Sequence, residues 1–269
     1  MNTRSIPLQT TKILARTEDN IGWLTLNNPE RRNAVSLEMW HGLADAAAAF
    51  EADPDVRAIV IHGAGGQSFA AGADISEFAQ HRSNAEQKKK YSEVSARAHQ
   101  GLSGLSKPLI AMIQGYCVGG GLALALAADL RFASPGSRFG IPAARLGLAY
   151  DYPGLAKLAR LVGPSVAKDM LFSARLLDAG EARHVGLVNV VADDALLQEQ
   201  VRDYAGRVAA NAPLTVRLAK AATRIFEQYA DDPSASELDA LMDLCFNSED
   251  YKEGRQAFME KRKPQFQGR

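Results

Sequence analysis

Short apolar blocks alternate along this chain with longer segments in which apolar positions recur every three or four places. Residues 21–26, 56–62 and 109–113 are apolar blocks of strand length, and Asn27-Asn28-Pro29-Glu30 and Gly63-Ala64-Gly65-Gly66 supply turns after the first two. Ser36 is placed to cap a helix from Leu37 to about Ala52, which Asp53-Pro54 closes. Tyr91, Val94, Ala98, Leu102 and Leu105 recur at helical spacing within 85–105, which leaves Lys88-Lys89-Lys90 on a solvated face. Gly163-Pro164-Ser165 opens a helix to about Ser173. Asp178 with Glu181 forms a capping box for a short helix that Gly186 ends, and 187–191 reads as a strand. From Asp194 onward only helical patterns follow, over 196–210, 214–229, 236–246 and 251–261, broken at Pro213 and Pro233. Strands alternating with helices, then helices alone, predict an α/β core over 1–193 and a helical segment over 194–269.

The stretch from Lys107 to Gly154 organises this pattern. The apolar block at 109–113 leads through Gly115 to Gly119-Gly120-Gly121, and 122–128 is apolar on every side, as a buried helix must be. Glycines at a helix start allow a tight turn and leave amide N–H groups bare at the positive end of the helix dipole, a place for an oxyanion. Close packing of the helix on a strand would use the same glycines. A second stretch of small residues, Phe69-Ala70-Ala71-Gly72-Ala73-Asp74-Ile75, also permits a ligand to approach the main chain. There the peptide N–H of Ala73 is the group of interest, and Asp74 with Glu77 has the pattern of a capping box. His62, at a strand end with no carboxylate or cysteine cluster near it in sequence, reads as structural.

Several chemistries are excluded. Neither glycine cluster has the Gly-x-Gly-x-x-Gly spacing of a dinucleotide fold, no Gly-Lys-Ser/Thr occurs, and Gly101-Leu102-Ser103-Gly104 misses the spacing of a serine-nucleophile elbow. In 269 residues, 31 Lys and Arg balance 31 Asp and Glu, which gives no support for a nucleic-acid or membrane-surface partner. Cys117 and Cys245 are the only cysteines, without metal-ligand spacing. Met1 to Gln9 lacks a long apolar core, and no run of about 18 apolar residues occurs, so a cytoplasmic protein without a metal or a prosthetic group is expected.

Four segments, in order, carry a resemblance over nearly the whole chain: 69–76, 107–121, Ala127-Ala128-Asp129-Leu130-Arg131, and Phe258-Met259-Glu260-Lys261-Arg262-Lys263. Together they resemble the enoyl-CoA hydratase/isomerase (crotonase) family. The resemblance implies a core of β-β-α turns wound into a superhelix, with a C-terminal helical segment that packs homotrimers, commonly paired into homohexamers. It implies a coenzyme A thioester as substrate, whose carbonyl is held by the backbone N–H groups of Ala73 and Gly120. It further implies contacts to coenzyme A from Arg31, Arg32 and Ala34, from Ala71, Asp74 and Ile75, and from Phe258 and Lys261 of a neighbouring subunit. For Arg31 and Arg32, a solvated charged surface is the competing reading.

The chain departs from the hydratase pattern at two places. Hydratases of this family carry a glutamate two residues after the glycine triplet and another in a Phe-Gly-x-Pro-Glu segment; Ala123 and Ala143 stand there. Adding water across a double bond requires a base for the water and a proton for Cα, and methyl groups supply neither. The nearest titratable groups in sequence are Arg145, Tyr150, Asp151 and Tyr152, and 146–151 resembles the matching loop of methylmalonyl-CoA decarboxylases, whose tyrosine falls on Tyr150. The expectation is a lyase acting through an enolate, with Tyr150 as proton donor. An acyl-CoA hydrolase using Asp151 and a catalytically silent thioester binder are the alternatives, and Tyr150 and Tyr152 as mere lining of an acyl pocket is a third.

Overall fold

The computed structural model describes residues 3–77, 85–146, 152–228, 243–244 and 247–269. Two sheets organise it. The larger is built from β1 (Thr3–Ile6), β2 (Ile13–Glu18), β3 (Ile21–Leu26), β4 (Ala58–Gly63), β6 (Leu109–Ile113), β8 (Leu130–Ala133) and β11 (Val190–Val191), hydrogen-bonded in that order. The smaller has the order β10 (Leu177–Asp178), β9 (Arg138–Gly140), β7 (Tyr116–Val118), β5 (Ser68–Ala70). Neighbours from β3 through β11 and from β5 through β9 are parallel, while β1, β2 and β10 pair antiparallel.

Chain order makes this a spiral. Each successive strand pair, β4–β5, β6–β7 and β8–β9, places one strand in each sheet, and helical structure follows before the next pair. The helices are α1 (Leu37–Ala52) before the first pair, α2 (Ala85–Ser103) after it, and α3 (Gly120–Ala127) after the second. After the third come α4 (Tyr152–Val162), α5 (Pro164–Ser173) and α6 (Ala179–His184). The C-terminal segment carries α7 (Asp194–Ala210), α8 (Pro213–Gln228) and α9 (Glu249–Glu260).

The central strands β3, β4 and β6 of the large sheet are buried on both faces, and their side chains alternate between two clusters. Ile59, Ile61, Leu109, Ala111 and Ile113 join the main core with α1 to α3, whereas Ala58, Val60, Ile110 and Met112 face a second cluster with Leu197, Val201 and Ala205 of α7. The first helix of the C-terminal segment therefore covers the outer face of the spiral. α8 differs: it is strongly amphipathic, yet none of its described side chains is buried, and Phe226 is exposed.

The long elements lie where the pattern of the sequence puts them. β3 and β6 match residue for residue, Ser36 caps α1 through Met39 N–H, and Asp178 and Glu181 form their reciprocal capping box. β11 is shorter than expected, since only Val190 and Val191 pair with β8. Seven strands give no clear period in the sequence: β1, β2, β5, β7, β8, β9 and β10, most of them two to four residues long. Apart from residues 243–244, which are helical, the helix expected over 236–246 lies outside the described residues, as does the loop from Gly147 to Asp151. Among the described residues no helix is long and apolar enough to cross a membrane.

Candidate active site

The register of the small sheet brings the two small-residue stretches together. Ala70 of β5 lies opposite Cys117 of β7. Three residues beyond each, the chain reaches Ala73 on one strand and Gly120 on the other. Both turns are made by a residue with positive φ, Gly72 at +113° and Gly119 at +55°, in regions that a side chain disfavours. A bridge fixes the orientation of the first turn: Val35 N–H donates to Gly72 O at 2.8 Å and Asp74 N–H donates to Val35 O at 3.0 Å. Alternation along an extended chain then turns the N–H of Ala73 to the other edge.

That edge is where α3 begins. A Cβ placed on Gly120 would lie 3.3 Å from Ala73 N, and one on Gly72 would lie 3.9 Å from Gly120 N. A Cβ on Gly121 would come within 2.1 Å of Ala70 O, so the start of α3 is seated directly on β5. Gly120 is the first residue of the helix, where an amide has no intrahelical acceptor. Among the described residues neither Ala73 N–H nor Gly120 N–H has a hydrogen-bond acceptor, while their neighbours do: Gly119 N–H donates to Gly140 O at 2.9 Å and Ala123 N–H to Gly119 O at 3.0 Å. Unpaired amides beside a slot at a helix N-terminus can stabilise negative charge on an oxygen placed between them.

Several expected site residues gather around this slot. Ala71 N–H donates to Arg32 O at 3.0 Å, and the carbonyl of Ala34 accepts from Asn28 Nδ2 at 3.1 Å. Arg31 donates to Ser76 Oγ at 2.9 Å and stands 3.6 Å from Asp74 Oδ1, its guanidinium otherwise exposed. Arg32 stacks over the exposed ring of Tyr116 at 5.6 Å. Ile75 begins a single helical turn, Ile75–Glu77. The capping box expected of Asp74 and Glu77 does not form. Asp74 Oδ1 accepts from the N–H and hydroxyl of Ser76, and Glu77 reaches across to Leu37 N–H at 2.7 Å, where the start of α1 has an orphan donor to offer.

Ala123 sits half-buried in the first turn of α3, and Ala143 packs against the core in a helical turn, Pro142–Leu146. Arg145 is exposed at the end of that turn. Tyr150 and Asp151 lie outside the described residues, as do the side chains of Tyr152, Ile75 and Phe258. Lys261 is exposed just past α9 and makes no contact with the slot among the described residues.

Two supporting residues escape a reading of the sequence alone. Asn33, fully buried with φ of +56°, donates to Ala64 O at 2.9 Å and to Ser68 O at 2.7 Å and accepts from Asn28 N–H at 2.9 Å. It knots the turn before α1 to β5. Arg131, 2% exposed, donates to Leu187 O and Ala128 O, each at 2.7 Å, and to Ala125 O at 3.4 Å, so its cation closes the negative end of α3. Burial lowers its pKa. A lone arginine in an apolar run was the available signal for this role. His62 is structural as expected: its Nε2 bonds Thr25 Oγ1 at 3.0 Å, and burial lowers its pKa.

An α/β spiral whose central helix starts beside two amides without acceptors among the described residues offers a backbone place for a developing oxyanion. The Enoyl-CoA hydratase/isomerase family model matches residues 16–269. The crotonyl-CoA hydratase of Syntrophomonas wolfei subsp. wolfei is 38% identical over 255 residues, 94% of this chain and 97% of that protein. The crystal structure of an enoyl-CoA hydratase/carnithine racemase from Magnetospirillum magneticum superposes with a TM-score of 0.89 at 40% identity, covering 97% of each chain. A putative enoyl-CoA hydratase/isomerase family protein from Hyphomonas neptunium gives 0.90 at 39% identity, covering 96% of this chain and 98% of its own. The chain belongs to the enoyl-CoA hydratase/isomerase family and has the crotonase fold.

Proposed function

We propose that this protein is an acyl-CoA enzyme that holds a thioester carbonyl between the amides of Ala73 and Gly120 and works through the enolate. The observation that carries the reading is a pair of N–H groups without acceptors among the described residues, three places past the paired residues Ala70 of β5 and Cys117 of β7. Preorganised donors aimed at a developing oxyanion act without reorganising and cost nothing further when charge arrives. The names of the relatives, among them crotonyl-CoA hydratase, support the substrate class. Arg31, Arg32, Ala34, Ala71, Asp74 and Ile75 then flank the coenzyme A end of the ligand.

The reaction we favour is carbon–carbon cleavage, in its simplest form decarboxylation. The bond from Cα to the carboxylate breaks, its electron pair forms the enolate, the oxygen charge falls on the two amides, CO₂ leaves, and Cα takes one proton. No base is required, which suits a site with Ala123 and Ala143 where acid and base would stand for hydration. Tyr150 supplies the proton, since a tyrosine is neutral near pH 7, whereas Asp151 would be ionised and suited to activate water. Hydration is the second reading, favoured by the relatives' names.

A panel of malonyl-type, crotonyl and cyclic β-keto CoA esters tests this with the unmodified protein, Tyr150→Phe and Asp151→Asn. A malonyl-type ester should be decarboxylated and crotonyl-CoA hydrated only slowly, and Tyr150→Phe should lower kcat by about 10²-fold to 10⁴-fold with binding retained. Loss in Asp151→Asn alone would mean hydrolysis, and rapid hydration of crotonyl-CoA would overturn the lyase reading. Micromolar binding with no turnover of any ester would identify a silent thioester binder.

We also propose that residues 194–269 assemble homotrimers, alone or paired as homohexamers. The unburied apolar stripe of α8, with Val216, Leu218 and Ile225 only partly covered and Phe226 exposed, supports this. Light scattering at micromolar concentration should give three or six times the 29.0 kDa chain mass, and a monomer would refute it.

A further inference from the structure

The last residues of the chain form a strap. Past α9, Lys261 takes φ of +54° and Arg262 N–H donates to Ala257 O at 3.0 Å, which turns the chain back on the helix it has just left. Residues 263–269 then return along α9. Gln265 N–H donates to Glu253 Oε1 at 2.8 Å, Gln267 N–H to Asp250 Oδ1 at 2.6 Å, and Gly268 N–H to Asp250 Oδ2 at 2.8 Å. Asp250 N–H donates in turn to Arg269 O at 3.1 Å. Between these bonds the ring of Phe266 lies over Gly254, where a Cβ would stand 3.4 Å from it.

The other side of the strap meets the spiral. Arg57, immediately before β4, donates to Phe266 O at 2.8 Å and to Ala209 O at 3.3 Å near the end of α7. Gly268 lies against Pro213, which opens α8. The strap is thus a layer between α9 and the core. Its two sides are held differently: Arg57 grips one carbonyl from the core, while Asp250 grips two amides from the helix. Asp250 is 3% exposed, and a buried carboxylate is retained only where donors satisfy it. Glu253 adds an outer clamp, and the Arg262 guanidinium and the Gln265 amide hold its carboxyl down to about 2.

We infer that Asp250 is a positioning residue for ligand binding: by clasping the strap it fixes α9 against Arg57 and the α7–α8 junction, and so sets where Lys261 stands. Lys261 follows the helix directly and is exposed, so any tilt of α9 moves its ammonium group. The part that concerns Lys261 rests on the thioester reading above, with Lys261 reaching the coenzyme A of a neighbouring subunit as the family resemblance implies; the clasp does not.

The full-length protein tests the inference, with Asp250→Ala, Asp250→Asn, Lys261→Ala and the double variant Asp250→Ala/Lys261→Ala. Amides of α9 should exchange with deuterium about tenfold faster or more in Asp250→Ala, while β4 and α3 keep their protection; Asn, which retains one acceptor, should restore part of it. KM for an acyl-CoA that the protein turns over should rise about tenfold in Asp250→Ala and in Lys261→Ala, with kcat held within about twofold, and the double variant should be no worse than either. Unchanged exchange in α9 would overturn the clasp. Faster exchange with unchanged KM, or additive losses in the double variant, would overturn the positioning role. Should the unmodified protein neither bind nor turn over any acyl-CoA, the thioester reading fails, and the exchange result alone decides the clasp.

Discussion

Gly120→Ala should lower kcat/KM for an acyl-CoA substrate by about 10²-fold to 10³-fold, the loss typical of one oxyanion donor, while the protein stays folded. The added methyl would stand 3.3 Å from Ala73 N, in the slot that a thioester oxygen must enter to reach both amides. Only Ala73 N needs to yield, by a few tenths of an ångström, while the carbon atoms of Gly72, at 3.5 and 3.8 Å, stand at ordinary contact distance. Position 120 opens a helix and does not have a positive φ, so alanine fits the backbone there. Activity and stability should therefore move apart. Parallel measurements of kcat/KM and of the thermal midpoint would show it. A variant with full activity would mean that the oxygen is held elsewhere.

The second large effect concerns Arg131. Arg131→Ala should destabilise the protein by on the order of 3–6 kcal/mol, since two short charge-assisted hydrogen bonds are lost and each contributes about 1.5–3 kcal/mol. The carbonyls of Leu187 and Ala128 would be left facing an apolar void of arginine size. Lysine should rescue only partly, because a single ammonium cannot span carbonyls that a planar guanidinium meets along three directions. Chemical denaturation at fixed protein concentration would measure the shift. The same variant should lose activity more than in proportion to its folded fraction, because the C-terminal end of α3 is anchored there and the N-terminal end carries Gly120. A denaturant midpoint unchanged from that of the unmodified protein would rule out this role.

The two small-residue turns were legible in the sequence as glycine and alanine clusters, which suit an oxyanion and close helix packing alike. Their common register was not. β5 and β7 are three residues each, too short to show a period, and their pairing follows from the closure of the spiral rather than from either segment. Asp74 and Glu77 show the opposite failure. The spacing fitted a local cap, but Leu37 N–H offered Glu77 a partner 40 residues away, and a tertiary contact displaced the local one. Asn33 escaped notice for a similar reason, since its acceptors at Ala64 and Ser68 lie more than 30 residues along the chain. Asp250, Arg57 and the strap are likewise joined only by folding. The catalytic expectation at Tyr150 and Asp151 rests on sequence, because those residues lie outside the described set.

The pairing of β7 with β9 extends the row that contains Ala73 and Gly120. Cys117 lies opposite Phe139, and three residues past Phe139 the chain reaches Pro142, at the start of its own helical turn. Pro142 therefore takes the same place in the count as Ala73 and Gly120, and its nitrogen, a tertiary amide, bears no hydrogen. The number of main-chain donors along this row is therefore set by side-chain identity and not by the winding of the chain. Exchanging Pro142 for another amino acid would restore a main-chain N–H at that place in the count.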